Sequence, residues 1–150
     1  MFAEAKNALL AMLARRDHSC KEVADKLAGK DFSAEVIASV IGQFLDSGYL
    51  DDERFASALV RSHINKGHGP IRIQQAMFQK GIAKSLIAQS IDDADCDWYE
   101  LAKAKAARKY GEAEVLDPKE KAKRTRYLLS QGFSYDQVSY ALSVNDSDFD

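Results

Sequence analysis

Five kinds of side chain in this 150-residue sequence could do chemistry: thiols, imidazoles, hydroxyls, carboxylates and cations. Cys20 and Cys96 stand far apart, and neither has a second ligand at metal spacing. Neither a disulfide nor a zinc site is expected, and both read as free thiols of a reducing compartment. His63 and His68 are five positions apart, which does not put both on one helical face, and no HExxH pattern accompanies them. His18 follows Arg15-Arg16-Asp17 in a connection between helices, where a surface or capping role is expected. Ser19 and Ser33 lack any signature of an activated hydroxyl and are read as helix caps. Asp51, Asp52 and Glu53 form a carboxylate run, but they open a helix, where negative charge meets the positive end of the helix dipole. The phosphate-cradling GxxxxGK[ST] and a strand-borne GxGxxG are both missing, and Gly67-His68-Gly69-Pro70 is read as a turn and helix start. The expectation is a non-enzyme with no metal and no cofactor.

The cations are more informative. Lys and Arg number 21 against 23 Asp and Glu, for a net charge of −2, which argues against a general nucleic-acid coat. Position changes that picture. Between Arg54 and Ile91 lie Arg54, Arg61, Lys66, Arg72, Lys80 and Lys84 and not one acidic residue. Between Glu100 and Arg126 nine basic residues face five acidic ones, and Lys105, Arg108 and Lys109 share one side of a helix. Lys123 and Arg126 extend a second helical spacing from Lys119, with Arg124 beside them. These residues form a candidate strip for a polyanion or an acidic partner surface. A solvated helix face with local ion pairs is the alternative reading of the same spacing.

Helices must position these groups. Gly (8) and Pro (2) are too scarce for the turns of an all-β fold, while 46% hydrophobic and 29% charged residues fit a globular chain. Three ungapped 23-residue windows, from Ser19, Gly69 and Glu120, align at offsets of 50 and then 51 residues. Leu27, Met77 and Leu128 coincide, as do Ala28, Phe78 and Leu129; Phe32, Ile82 and Phe133; Ile37, Ile87 and Val138; and Ile41, Ile91 and Leu142. Each window reads as helix, turn, helix. Ser33 and Ser134 are expected N-caps. Gly81 and Gly132 suit the positive φ of the turn, with Asp31 a poorer choice in the first copy. Val36, Ile37, Val40, Ile41, Phe44 and Leu45 share one helical face. Phe78, Tyr127 and Phe133 fall at repeat-core positions and are read mostly as packing, with Tyr49 and Trp98 unassigned.

A further helix precedes each window: Leu9, Leu10 and Leu13 mark the first, Phe55, Ala56, Leu59 and Val60 the second, and Tyr99, Ala102 and Ala106 the third. A longer linker runs from Glu112 to Pro118. The expected fold is all-α, three tandem three-helix repeats in an elongated, curved array, because one such unit alone has a marginal core. The repeats are set at 1–50, 51–95 and 96–144, with an acidic tail at 145–150. No run of ~18 apolar residues is present to span a membrane. Glu4 and Lys6 interrupt any signal peptide, so a soluble cytoplasmic chain is expected.

The stretch Gly48-Tyr49-Leu50-Asp51-Asp52-Glu53-Arg54-Phe55-Ala56 resembles the most recognisable motif of the RecX family of recombinase regulators. Leu13-Ala14-Arg15-Arg16-Asp17-His18-Ser19, Gly69-Pro70-Ile71-Arg72-Ile73 leading to Lys80-Gly81-Ile82, and Tyr127-Leu128-Leu129-Ser130-Gln131-Gly132-Phe133 are similar in the same order, so that the likeness covers about residues 5–142. Asp31 and Met77 depart from the more usual glycine and leucine. The resemblance implies tandem three-helix repeats and a non-enzymatic bacterial protein that binds the RecA recombinase on single-stranded DNA; a monomer is expected. It implies lodging in the filament groove, blocking extension, and suppressing ATP hydrolysis, strand exchange and the coprotease activity behind the SOS response. The family carries over no ligand residue, so the contact candidates rest on charge and position alone. A helix-turn-helix-like regulator binding DNA directly, and an all-helical interaction scaffold, stay open as alternatives.

Overall fold

A computed structural model describes residues 1–113 and 117–143. Part of the expected linker and the whole of the expected acidic tail lie outside the described residues. Among those described there are nine helices and no strand: α1 (Phe2–Arg15), α2 (Cys20–Gly29), α3 (Ala34–Asp46), α4 (Asp52–Asn65), α5 (Pro70–Gln79), α6 (Lys84–Asp93), α7 (Trp98–Tyr110), α8 (Pro118–Ser130) and α9 (Tyr135–Leu142). They fall three to a repeat, as the windows imply.

The repeat has a local physical cause. Phe32, Ile82 and Phe133 each donate a backbone N–H to the carbonyl five residues back, on Leu27, Met77 and Leu128, at 3.3, 3.1 and 3.3 Å. The preceding residues, Asp31, Gly81 and Gly132, donate to Ala28, Phe78 and Leu129, each at 3.0 Å. This is a Schellman ending, which satisfies orphan carbonyls and brings the flanking apolar pair together. Leu27, Met77 and Leu128 are fully buried in consequence, each contributing about 2 kcal/mol of hydrophobic stabilisation. The following helix then starts on a cap: Val36 N–H donates to Ser33 Oγ and Gln137 N–H to Ser134 Oγ, both at 3.2 Å.

Two expectations need correction. Phe78 is 68% exposed rather than in a core, as are Ala28 and, in part, Leu129 at the same repeat position. That position follows the buried one directly, so on a helix it points about 100° away from it. Leu45 is also exposed, while Ile37, Val40 and Phe44 carry the buried face of α3.

The chain forms two compact units that cut across the repeats. The first comprises Met1–Ala58 and Met77–Ser90, the second Leu59–Ala76 and the chain from Ile91 onward. The first unit centres on Leu9, Val23, Leu27, Val40 and Phe44, the second on Ala102, Ala106, Leu128, Phe133 and Val138. The middle repeat is thus divided, each part joining the repeat that it packs with.

Candidate polyanion interface

In each unit the start of one repeat's second helix meets the turn of the next repeat. In the first unit Ser19 Oγ donates to the Lys80 carbonyl at 2.7 Å. In the second, Gly69 N–H donates to the Gln131 carbonyl at 2.8 Å and Ile71 N–H to the Gly132 carbonyl at 3.0 Å. Ser19 and Gly69 occupy equivalent positions, as do Lys80 and Gln131, so one junction is used twice. Its closeness explains the turn glycines: a Cβ on Gly132 would lie 2.4 Å from Arg72 Cβ, and one on Gly81 would lie 2.5 Å from Lys21 Cβ. The same left-handed turn in the first repeat carries Asp31, which holds φ 68° there.

The first junction is charge-compensated. Glu22 completes a capping box with Ser19, whose N–H donates to it at 3.0 Å. Arg16 grips the same carboxylate through both terminal nitrogens at 3.2 and 2.9 Å, and Lys80 Nζ adds a contact at 2.9 Å. Burial opposes the charge on Glu22, but the hydrogen bonds from Arg16, Lys80 and the Ser19 N–H outweigh it and hold its pKa down to about 2. Beside this network lies an open groove of about 720 Å³, where Lys21 pairs with Asp25 at 2.9 Å.

Arg54 is occupied too. Its guanidinium donates to the Gly48 and Tyr49 carbonyls at 3.0 Å each and pairs with Asp17 at 3.2 Å, while its own N–H donates to Asp51 Oδ1 at 3.1 Å. Asp52 Oδ1 accepts from the Cys20 N–H at 2.9 Å, so the carboxylate run caps helices as expected. Burial, with Asp52 and Asp51 nearby, pushes the Cys20 thiol up to about 11, and burial with Asp97 also raises Cys96; neither is poised as a nucleophile.

Among the described residues, the cations of the second junction have no such carboxylate partner. Lys105 Nζ donates to the Lys66 carbonyl at 2.7 Å, crossing the turn at Gly67. Burial first, then Arg108, Arg72 and Lys109, depress the Lys105 pKa. His63 and His68 lie in the same field, their Nδ1 atoms 2.8 Å apart. Burial, then Arg72, His63, Lys105 and Lys66, push His68 down to about 4; burial, Lys66 and Arg72 lower His63. Helix spacing missed this pair because α4 ends between them. His68 donates its backbone N–H to His63 O at 3.0 Å and Gly67 to Ile64 O at 2.9 Å, again a Schellman ending, and the pair takes the place of its usual apolar contact. A glycine four residues after a histidine and directly before another is the signal that spacing on a continuous helix cannot supply.

Of the sequence candidates, the second unit therefore groups Lys66, Arg72, Lys105, Arg108 and Lys109. At the end of α7, Lys109 lies 4.4 Å from the Tyr127 ring centre and Arg124 4.5 Å from that of Tyr110, with the two rings edge to face at 5.7 Å. Arg124 also pairs with Glu120 at 3.2 Å. Arg61, Lys123 and Arg126 are exposed in this unit but stand outside the coupled group; Lys80 and Lys84 belong to the first unit. Such fixed cations and nearby aromatic rings fit the recognition of a phosphate backbone. Among the described residues no group of three potential ligands could hold a metal, and no helix is long and apolar enough to cross a membrane.

Comparison with known proteins gives three family matches in chain order: "RecX, first three-helix domain" over residues 5–44, the second over 51–91 and the third over 95–142. A "Regulatory protein RecX" of Vibrio parahaemolyticus is 44% identical over 95% of this chain and 92% of its own, and one of Shewanella oneidensis is 53% identical over 66% and 89%. The crystal structure of RecX from Lactobacillus salivarius superposes with a TM-score of 0.78 at 27% identity, covering 93% of each chain.

Proposed function

The chain belongs to the RecX family of regulatory proteins, and from that premise we propose that it regulates the RecA recombinase by binding RecA and its filament on single-stranded DNA. In this reading it blocks filament extension and so lowers ATP hydrolysis, strand exchange and coprotease activity, modulating recombination, DNA repair and the SOS response in the bacterial cytoplasm. It does so as a monomer and by binding alone, without catalysis. Its working parts are the repeats at 1–50, 51–95 and 96–144.

The observation that carries this reading is the cation group Lys66, Arg72, Lys105, Arg108 and Lys109, which among the described residues has no carboxylate partner, whereas Glu22 neutralises the first junction. A face of fixed positive charge in a chain of net charge −2 suits a protein-coated polyanion better than a general coating role. Arg61, Lys123, Arg124 and Arg126 extend that face in the proposal, whereas Arg54, Lys80 and Lys84 are secondary contacts.

Hydrolysis of ATP by RecA on single-stranded DNA, with the chain added well below one copy per protomer, tests the proposal. Strong inhibition is expected, since capping a growing filament needs few copies. Unchanged hydrolysis at equimolar chain would refute it.

A further inference from the structure

The three repeat turns fill the paired positions of their Schellman endings with apolar side chains, as Leu27 with Phe32 does. The ending of α4 fills them with His63 and His68 instead. Imidazoles gain little as packing groups there and lie among charges of one sign: Lys66 from the turn, Arg72 from α5 and Lys105 from α7, with Arg108 and Lys109 behind Lys105.

We propose that His63 and His68, together with Lys66, Arg72 and Lys105, form a proton-linked subsite for a backbone phosphate of single-stranded nucleic acid. This rests on the reading of the cation face as a polyanion interface and adds a coupling to protons that the reading itself does not require.

The 2.8 Å separation of the two Nδ1 atoms requires that one ring donate its Nδ1–H to the lone pair of the other. In the free chain a further proton must settle on a ring nitrogen surrounded by three cations, which keeps the pair neutral at physiological pH. A phosphodiester seated among Lys66, Arg72 and Lys105 cancels that field. The pair then takes one proton from solvent onto a ring nitrogen, and the new imidazolium N–H donates to a phosphate oxygen. No covalent bond is made or broken. Neither histidine needs to move onto a common helical face, because the turn at Gly67 already places them together.

The coupling has a definite sign. Binding restores a depressed histidine pKa toward its ordinary 6.5, so affinity is flat well above that value and rises as pH falls toward the free value of about 4. For one histidine fully restored, affinity rises about tenfold between pH 7.5 and 5.5.

The probe is a thymidylate oligomer, whose bases do not titrate in that range, bound to the full chain in a calorimeter at both pH values and in two buffers of different ionisation enthalpy. The expected result is about tenfold tighter binding at the lower pH with net proton uptake. His68→Gln and, separately, His63→Gln should lose the proton uptake and the tightening at pH 5.5; both retain a hydrogen-bonding side chain and so preserve the turn. Equal affinity without proton uptake, or uptake that survives both substitutions, would overturn the proposal and leave the polyanion reading standing. No binding at either pH would overturn both for bare DNA, while inhibition of RecA, measured separately, would still judge the filament reading.

Discussion

The two junctions are built on one plan and differ in how their charge is resolved. In the first unit Ser19 reaches the Lys80 carbonyl through its side chain, and Glu22 gathers Arg16 and Lys80 into a closed ion network. In the second, Gly69 and Ile71 make the equivalent contact with backbone N–H groups, and Arg72, Lys66 and Lys105 crowd together around two neutral histidines. A carboxylate at the first site makes the junction a structural fastening. Among the described residues no carboxylate takes that place at the second, where Lys66, Arg72 and Lys105 act on one another and on the histidines. In the proposed reading, one repeat architecture thus yields a closed surface and a receptive one by changing a few polar side chains.

The largest effect should come from asking which junction tolerates a methyl group. Gly132→Ala meets backbone atoms of Arg72 and Gly69 as well as a strained positive φ, and should cost about 3 kcal/mol in urea unfolding. Gly81→Ala meets the Lys21 side chain, which can give partly, and should cost about 2 kcal/mol. Equal losses would show that the second junction is no more rigid than the first.

Glu22→Gln removes the compensation at the first junction and leaves Arg16 and Lys80 facing a neutral amide. Both cations are about half exposed, so solvent screens much of the pairing, and the expected loss is about 1 kcal/mol. Acid should also separate the two. Both histidines have pKa values depressed on folding and contribute stability that is whole above about 6.5 and lost as pH falls, for His68 toward about 4. Glu22, also depressed, contributes stability that is whole above about 4.5 and lost as pH falls toward 2. Fluorescence of Trp98, the sole tryptophan and a residue of the second unit, should therefore change before amide exchange at Val23 and Leu27 accelerates. The reverse order would contradict the assignment.

The smallest effect is expected at Asp31→Gly. Relief of the left-handed strain is offset by the greater freedom of glycine in the unfolded chain, so stability should stay within about 0.5 kcal/mol. A large gain would mean that Asp31 is strained beyond its φ.

The repeat was legible in the sequence because its signals are local. The pairing of Leu27 with Phe32, and of Leu128 with Phe133, is the imprint of a helix ending that needs an apolar residue on each side of a left-handed turn. Ser33 and Ser134 were legible as caps for the same reason. What lay beyond reach depends on tertiary approach. Arg54 and Lys105 are both basic residues with no acidic neighbour in sequence on one side, yet one closes a corner against Asp17 and the other crosses a turn to the Lys66 carbonyl. Phe78 sits one position after a buried methionine, and alignment of the windows alone does not say which way it faces. The histidine pair was hidden because a helical face is the wrong frame for residues on either side of a helix end.

The contrast between the junctions is tested most directly by the salt dependence of binding to RecA-coated single-stranded DNA. The exposed cations Lys66, Arg108 and Lys109, changed together to glutamine, should lower the slope of log affinity against log salt by about 2, since each lost phosphate contact removes about 0.7. Lys80→Gln, whose ammonium is already paired with Glu22, should lower that slope far less. A slope equally insensitive to both sets, or more sensitive to Lys80→Gln, would contradict the assignment of the second junction as the receptive surface.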